Sequence, residues 1–415
     1  MKNDWNKLDN AAKIFPSAAS GRDTQVFRFS CELYEDIEPE LLKRALDKTI
    51  RHFPVYNYIL KRGFFWYYLE HTDIKPEVKE EYKSPCARIY ERDRKTLLYE
   101  VTYYKKCINL EVFHVLTDGT GAMHFLKEIV TKYLSYSHEI AEPVLDYDAS
   151  FAQKEDDSFR RYYSSEKENR RKGKRRVYQI RGKRLPDCRL KMIRGVASVQ
   201  ETIRAAHEYG VTMTSFLAAC LMLSIGEEMI MRDKKKTVGL VVPVNLRNFF
   251  ESFSARNFFS LVFADYNFSQ NTEDFKTVVT TIDTELKNNL TLDNMTRRLN
   301  DLIKLEKNPF ARIVPLSLKD ICLKIAYQFS ILESTASLSN VGIVKMPKEL
   351  KDYVRGFDVA CATSKLQLCV TSYEDRLSLT FTSQFLGTDI QKRFFRKLAD
   401  FGICTEISAN RIDEE

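Results

Sequence analysis

Six histidines punctuate the chain (His52, His71, His114, His124, His138 and His207), and His114 is set apart by its position. It closes the run Ile108-Asn109-Leu110-Glu111-Val112-Phe113-His114, where a period of two places the imidazole on the face of Ile108, Leu110 and Val112. At the end of a strand and on its apolar side, a following loop can open a histidine to a cleft. Imidazole is the side chain that exchanges protons near neutral pH. The residues that follow, 115–121, read as a turn into a helix, with Asp118 or Thr120 available to cap it. A lone histidine there is more commonly a hydrogen-bonded core residue. The spacing His114-x-x-x-Asp118-Gly119 (HVLTDG), at a strand end and before a helix, points instead to a site. His124 lies ten residues further on without a third ligand at suitable spacing, and reads as a polar helix residue; no metal is expected.

The elements that must position His114 follow from periodicity. VFRFSCEL (26–33) alternates as a half-buried strand, with Phe27, Phe29, Cys31 and Leu33 on one face. A helix starts near Pro39 and carries Leu42, Leu46, Ile50 and Phe53 at helical spacing before Pro54 stops it. Strands are expected over 64–70, 87–92, 96–104 and 108–115, the last two joined as a hairpin, and a helix after Gly121. The second half opens with an amphipathic helix near 201–207 and an apolar helix over 214–231. Strands follow at 237–244, 260–268, 341–346, 365–373 and 376–384, and a helix at 388–401. Each half mixes strands and helices around its own sheet, an α/β two-domain architecture.

Composition narrows the classes. The 415 residues are 44% hydrophobic and 29% charged, with only 14 Gly and 11 Pro, which excludes collagen-like and low-complexity chains. The longest uncharged stretch, 211–226, is short of a membrane span and reads as a buried helix. No apolar signal segment opens the sequence, so a soluble, cytoplasmic protein is expected. The nine cysteines form no CxxC pair and read as reduced, mostly buried thiols. The net charge of +8 is concentrated: residues 160–191 hold 14 Lys and Arg against three acids, and the remainder carries 51 bases against 54 acids. Such a segment is either a solvated crossing between domains or a site for phosphates or acidic proteins. With no helix-turn-helix, zinc-finger or RNP-type motif beside it, nucleic acid is not the expected partner.

HxxxDG in this setting resembles the CoA-dependent acyltransferase superfamily, which includes chloramphenicol acetyltransferase, BAHD-type plant acyltransferases, peptide-synthetase condensation domains and wax ester synthases. The nearest likeness is to stand-alone bacterial alcohol acetyltransferase-like proteins. FRFSCELYEDIEPELLKRALDKTIRHFP, TMTSFLAACL (212–221), VPVNLRNFF (242–250) with Asn257, and LSNVGIV (338–344) extend the resemblance over most of the chain.

The resemblance implies an α/β fold of two chloramphenicol acetyltransferase-like lobes, 1–155 and 196–415, with a basic crossover at 156–195 and a tunnel between them. It implies His114 as general base for a hydroxyl or amine attacking an acyl-CoA thioester, with no covalent acyl-enzyme and no permanently bound cofactor. Asp118 is implied to be structural, paired with an arginine, for which Arg28 and Arg247 are the candidates. Gly119 is implied to leave room for the acceptor. An oxyanion donor is required, and Ser339 and Asn340, or Thr363 and Ser364, are placed for it; each also reads as a strand-end tie. The sequence departs from the doubled histidine of many members, carrying Phe113 before His114, and lacks a DFGWG-like segment. A phosphopantetheinyl carrier protein as donor, or a non-catalytic binding protein on the same fold, remain the alternatives.

Overall fold

The computed structural model describes residues 5–92, 94–147, 149–164, 176–307 and 313–411. Residues 165–175 of the basic segment lie outside that description. The first half contributes β1 (Trp5–Lys7), β2 (Val26–Leu33), β3 (Tyr58–Arg62), β4 (Tyr67–His71), β5 (Val78–Glu80), β6 (Tyr99–Tyr104) and β7 (Cys107–Phe113). The second contributes β8 (Lys191–Ser198), β9 (Val238–Asn245), β10 (Phe259–Tyr266), β11 (Ala336–Ile343), β12 (Val354–Cys361), β13 (Leu366–Tyr373), β14 (Arg376–Ser383) and β15 (Glu406–Ala409). They form three sheets: β1-β4-β3, a five-stranded β12-β2-β7-β6-β5, and a seven-stranded β10-β9-β11-β13-β14-β8-β15. This is a mixed α/β fold with two sheet-containing lobes.

One strand departs from the expected order. β12 belongs by sequence to the second half, yet it pairs antiparallel with β2, Phe357 opposite Cys31 and Val359 opposite Phe29. The first sheet is therefore completed by the second half of the chain. ARIYER (87–92) is irregular rather than a strand, and the strand expected at 341–346 starts earlier, at Ala336, with a register shift between Asn340 and Gly342. The strands β1, β3, β5, β8, β12 and β15 and the helices Phe275–Asn289, Leu292–Lys307 and Leu316–Ile331 stand outside the expected elements.

The helix Met213–Glu228 explains the uncharged stretch: Phe216 through Gly226 are all buried, so it is apolar on every side at the centre of the second lobe. Among the described residues no single helix is long and apolar enough to cross a membrane.

β7 is covered on both faces. Ile108, Leu110 and Val112 enter the first core, while Glu111, on the face expected to be wet, is 1% exposed. Its carboxylate accepts from Arg28 Nε at 2.9 Å and from the Cys86 backbone N–H at 2.7 Å, and Arg28 Nη2 also reaches Glu81 at 2.6 Å. Burial, opposed by Arg28, holds the Glu111 carboxyl above the ordinary carboxylate range. Removing the cation leaves an unpaired buried carboxylate. Arg28→Ala is therefore expected to cost about 3–5 kcal/mol at neutral pH. That cost shrinks as the pH falls and Glu111 takes up a proton, which urea unfolding at neutral and mildly acidic pH will read.

Candidate active site

His114 follows β7 directly, its backbone N–H donating to Gln25 C=O at 2.9 Å. Its ring is partly exposed and lines a cavity of about 400 Å³ between the two large sheets. Phe15 stacks on the imidazole at 4.5 Å, Phe27 meets it edge-on at 4.9 Å, and Phe259 lies at 5.4 Å. Burial lowers the His114 pKa, against the opposing pull of the Asp118 charge and of hydrogen bonds to backbone carbonyls and to Asn257. The ring is thus kept neutral below the usual histidine range.

The second lobe supplies the group that sets the tautomer. Asn257 Nδ2 donates to the His114 carbonyl at 3.1 Å and to Asp9 Oδ2 at 3.2 Å. With the amide oriented by those two acceptors, its Oδ1 faces His114 Nδ1 at 3.0 Å, and an oxygen there can only accept. Nδ1 therefore carries the proton, and Nε2 keeps a lone pair that can take one. Asp9 is anchored in turn by the Ala12 N–H at 2.7 Å and lies 3.7 Å from Arg256 Nε; burial pushes its carboxyl up to about 6. Asn257 belongs to the residues that carry the sequence resemblance, but nothing in the sequence announces its contact with a residue 143 positions away.

Asp118 points elsewhere. As N-cap of the helix Gly119–Ser137 it accepts from Gly121 N–H at 3.1 Å through Oδ1. Its Oδ2 accepts from Arg247 Nη1 at 2.7 Å and from the Phe258 N–H at 2.8 Å. Of the two arginines considered, Arg247 reaches Asp118, and Arg28 is taken up by Glu111 and Glu81. Arg247 also donates to the carbonyls of Ser254 and Arg256, fixing the loop that presents Asn257.

The two glycines of the turn differ. A Cβ on Gly121 would stand 2.1 Å from Thr117 Oγ1 and 2.2 Å from the Ala255 carbonyl, so the lobes touch through bare backbone there. A Cβ on Gly119 would meet only Phe29, at an ordinary 3.5 Å. No protein atom forbids a side chain at 119, and what it would occupy is the cavity that Gly119 lines.

On the opposite wall, alternate residues of the second sheet face the cavity: Val241 and Pro243 of β9, Leu261 and Phe263 of β10, Ser337 and Ser339 of β11. Their neighbours Leu240, Val242, Val262 and Leu338 enter the second core. Asn340 is tied down at both ends, donating to Thr214 Oγ1 at 2.9 Å and accepting from Gly342 N–H at 2.9 Å. The Ser339 hydroxyl has no hydrogen-bond partner among the described residues. Thr363 and Ser364 also line the cavity, with Thr363 Oγ1 accepting from Lys365 N–H and the Ser364 carbonyl from Arg184. His124 stacks on Tyr147 at 3.8 Å, its pKa lowered to about 4 by burial and by Lys127. Among the described residues no group of three His, Cys, Asp or Glu side chains could hold a metal ion.

Comparison with solved structures agrees with this architecture. The chain is similar to F. graminearum TRI101, solved with coenzyme A and deoxynivalenol, at 12% identity over 95% of this chain and 97% of that one, with a TM-score of 0.62. It is similar to the TRI3 trichothecene 15-O-acetyltransferase from Fusarium sporotrichioides at 11% identity, 95% and 94% coverage and a TM-score of 0.58. It is also similar to the first condensation domain of the CDA synthetase at 15% identity, 96% coverage of both chains and a TM-score of 0.58. At these identities the likenesses are of fold alone. No curated protein matched by sequence. Residues 165–384, more than half of the chain and all downstream of His114, match the alcohol acetyltransferase family. The chain belongs to the alcohol acetyltransferase family.

Proposed function

We propose that this protein transfers an acyl group from a CoA thioester to the hydroxyl of a small acceptor, or to an amine, with His114 as general base. The reading is carried by a neutral imidazole on the cavity wall, held through Nδ1 by Asn257. The acceptor O–H gives its proton to Nε2 as its oxygen attacks the thioester carbonyl. The tetrahedral intermediate then collapses, the C–S bond breaks, and the imidazolium returns the proton to the leaving sulfur. Both substrates meet in one cavity, so no acyl-enzyme is needed. The Ser339 hydroxyl is the group we assign to the developing oxyanion, because Asn340 already spends its amide on Thr214 and Gly342. Residues 1–155 and 196–415 are proposed as the two acyltransferase lobes, with β12 crossing back to the first. The likeness to a condensation domain supports a second reading, a phosphopantetheinyl carrier as donor, which acyl-CoA and acyl-carrier assays run side by side distinguish.

His114→Ala is expected to lower acceptor-dependent thiol release about 10²–10⁴-fold with the fold intact; equal silence of wild type and variant with every donor would sink the reading. The base is active only when neutral, so the rate falls as the pH drops through the His114 pKa. Because burial lowers that pKa, the acidic limb of kcat/KM is expected below 6.5, the ordinary value. Asn257→Ala releases Nδ1 and is expected to reduce kcat while leaving KM for the donor nearly unchanged. Gly121→Ala is expected to cost about 1–3 kcal/mol in a melting experiment. Gly119→Ala should melt like wild type and discriminate against bulky acceptors.

A further inference from the structure

Two thiols meet where the two large sheets do. Cys361 is the last residue of β12, the strand that crosses back to the first sheet, and Cys369 lies in β13 of the seven-stranded sheet. Their sulfurs are 3.8 Å apart, and Gln367 Nε2 donates to Cys369 Sγ at 3.5 Å. Cys369 is 1% exposed. Cys361 is half-buried and lines the cavity of His114, so a small solute in that cavity reaches one of the two sulfurs directly. Cys86 also lies close by, but directs its Sγ at the Ala360 carbonyl, 3.7 Å away.

Strand register ties each sulfur to the site. Cys361 is opposite Phe27, whose ring meets His114 edge-on at 4.9 Å. Cys369 is paired with Ser339, which lines the same cavity from the other wall. The two thiols therefore stand on the strand neighbours of the base and of the assigned oxyanion donor. A disulfide brings its sulfurs to about 2 Å, so bonding draws the end of β12 towards β13. Phe27 then shifts against His114, and Ser339 shifts in the opposite wall. The hydrogen bond with Cys369 and burial push the Cys361 thiol well up, with Asp23 adding to the push and Gln367 opposing it. Thiolate is scarce at neutral pH as a result, and oxidation of the pair quickens as the pH rises.

We propose that Cys361 and Cys369 form a redox modification site, which hydrogen peroxide closes into a disulfide that slows acyl transfer. Peroxide oxidises one thiol to a sulfenic acid and leaves as water. The second thiol attacks that sulfur, the S–S bond forms, and the sulfenic oxygen departs as a second water. Two electrons and two protons pass from the thiols to the cleaved O–O bond. A dithiol reverses the step by exchange. Disulfide formation stands independently of the acyl-transfer reading; only the loss of activity rests on it.

Treatment of the full chain with hydrogen peroxide at mildly alkaline pH, followed by unreduced tryptic mapping, tests this. Trypsin cuts after Arg355, Lys365 and Arg376, so the disulfide appears as a cross-link between peptides 356–365 and 366–376. The cross-link is expected together with a fall of about tenfold or more in acyl transfer, read by chromatography, because small displacements of reacting groups are costly. Dithiothreitol should reverse both. Cys369→Ala, and Cys361→Ser as a second variant, are each expected to lose the cross-link and to keep their own untreated rate after peroxide. Absence of the cross-link, a bond between other cysteines in its place, inactivation that both variants share, or a cross-link that leaves the rate unchanged overturns the inference. A chain silent before treatment fails the acyl-transfer reading, and the cross-link then decides the modification site alone.

Discussion

The contact on which the site depends is the pairing of Asp118 with Arg247 across the two lobes. One carboxylate caps the helix Gly119–Ser137, receives a guanidinium N–H and anchors the Phe258 backbone. The same guanidinium holds the carbonyls of Ser254 and Arg256. Asn257 lies between those anchored residues, and its amide is thereby delivered to His114. Both partners of the pair are nearly buried, so the charges have no water to fall back on, and breaking either side leaves the other stranded. The geometry at the imidazole is thus set by a pair that does not touch the imidazole ring.

The surroundings of His114 combine two demands that oppose one another. Phe15, Phe27 and Phe259 crowd the ring, and burial favours its neutral form, while hydrogen bonding needs polar atoms at that same depth. The chain meets both by placing the polar atoms in a single file, Asp9 to Asn257 to His114, so that each buried donor finds an acceptor.

Local patterns in the sequence announced much of this. The alternation of β2 and β7, the strand-end histidine and the Asp-Gly turn are read from neighbours within a few residues, and the structure has them as strand, turn and capped helix. Partners distant in sequence were not legible. Arg28 and Arg247 look alike in one dimension, and only the fold sends one to Glu111 and the other to Asp118. Gly121, beside the more conspicuous Gly119, is required because Ala255 arrives from the other lobe. The helix Leu316–Ile331 is not legible because Leu318, Ile321 and Ile325 are exposed, against the assumption that periodic apolar residues are buried.

The crossing of β12 has a consequence for how the chain comes to be folded. Until residues 354–361 exist, β2 presents an unpaired edge along Phe27–Leu33, open to pairing with another chain. The first lobe therefore cannot be finished early in synthesis and set aside: its sheet closes only when most of the second lobe has also been made. A pairing that spans more than three hundred residues makes the first sheet slow to close and ties the two separate cores to one another.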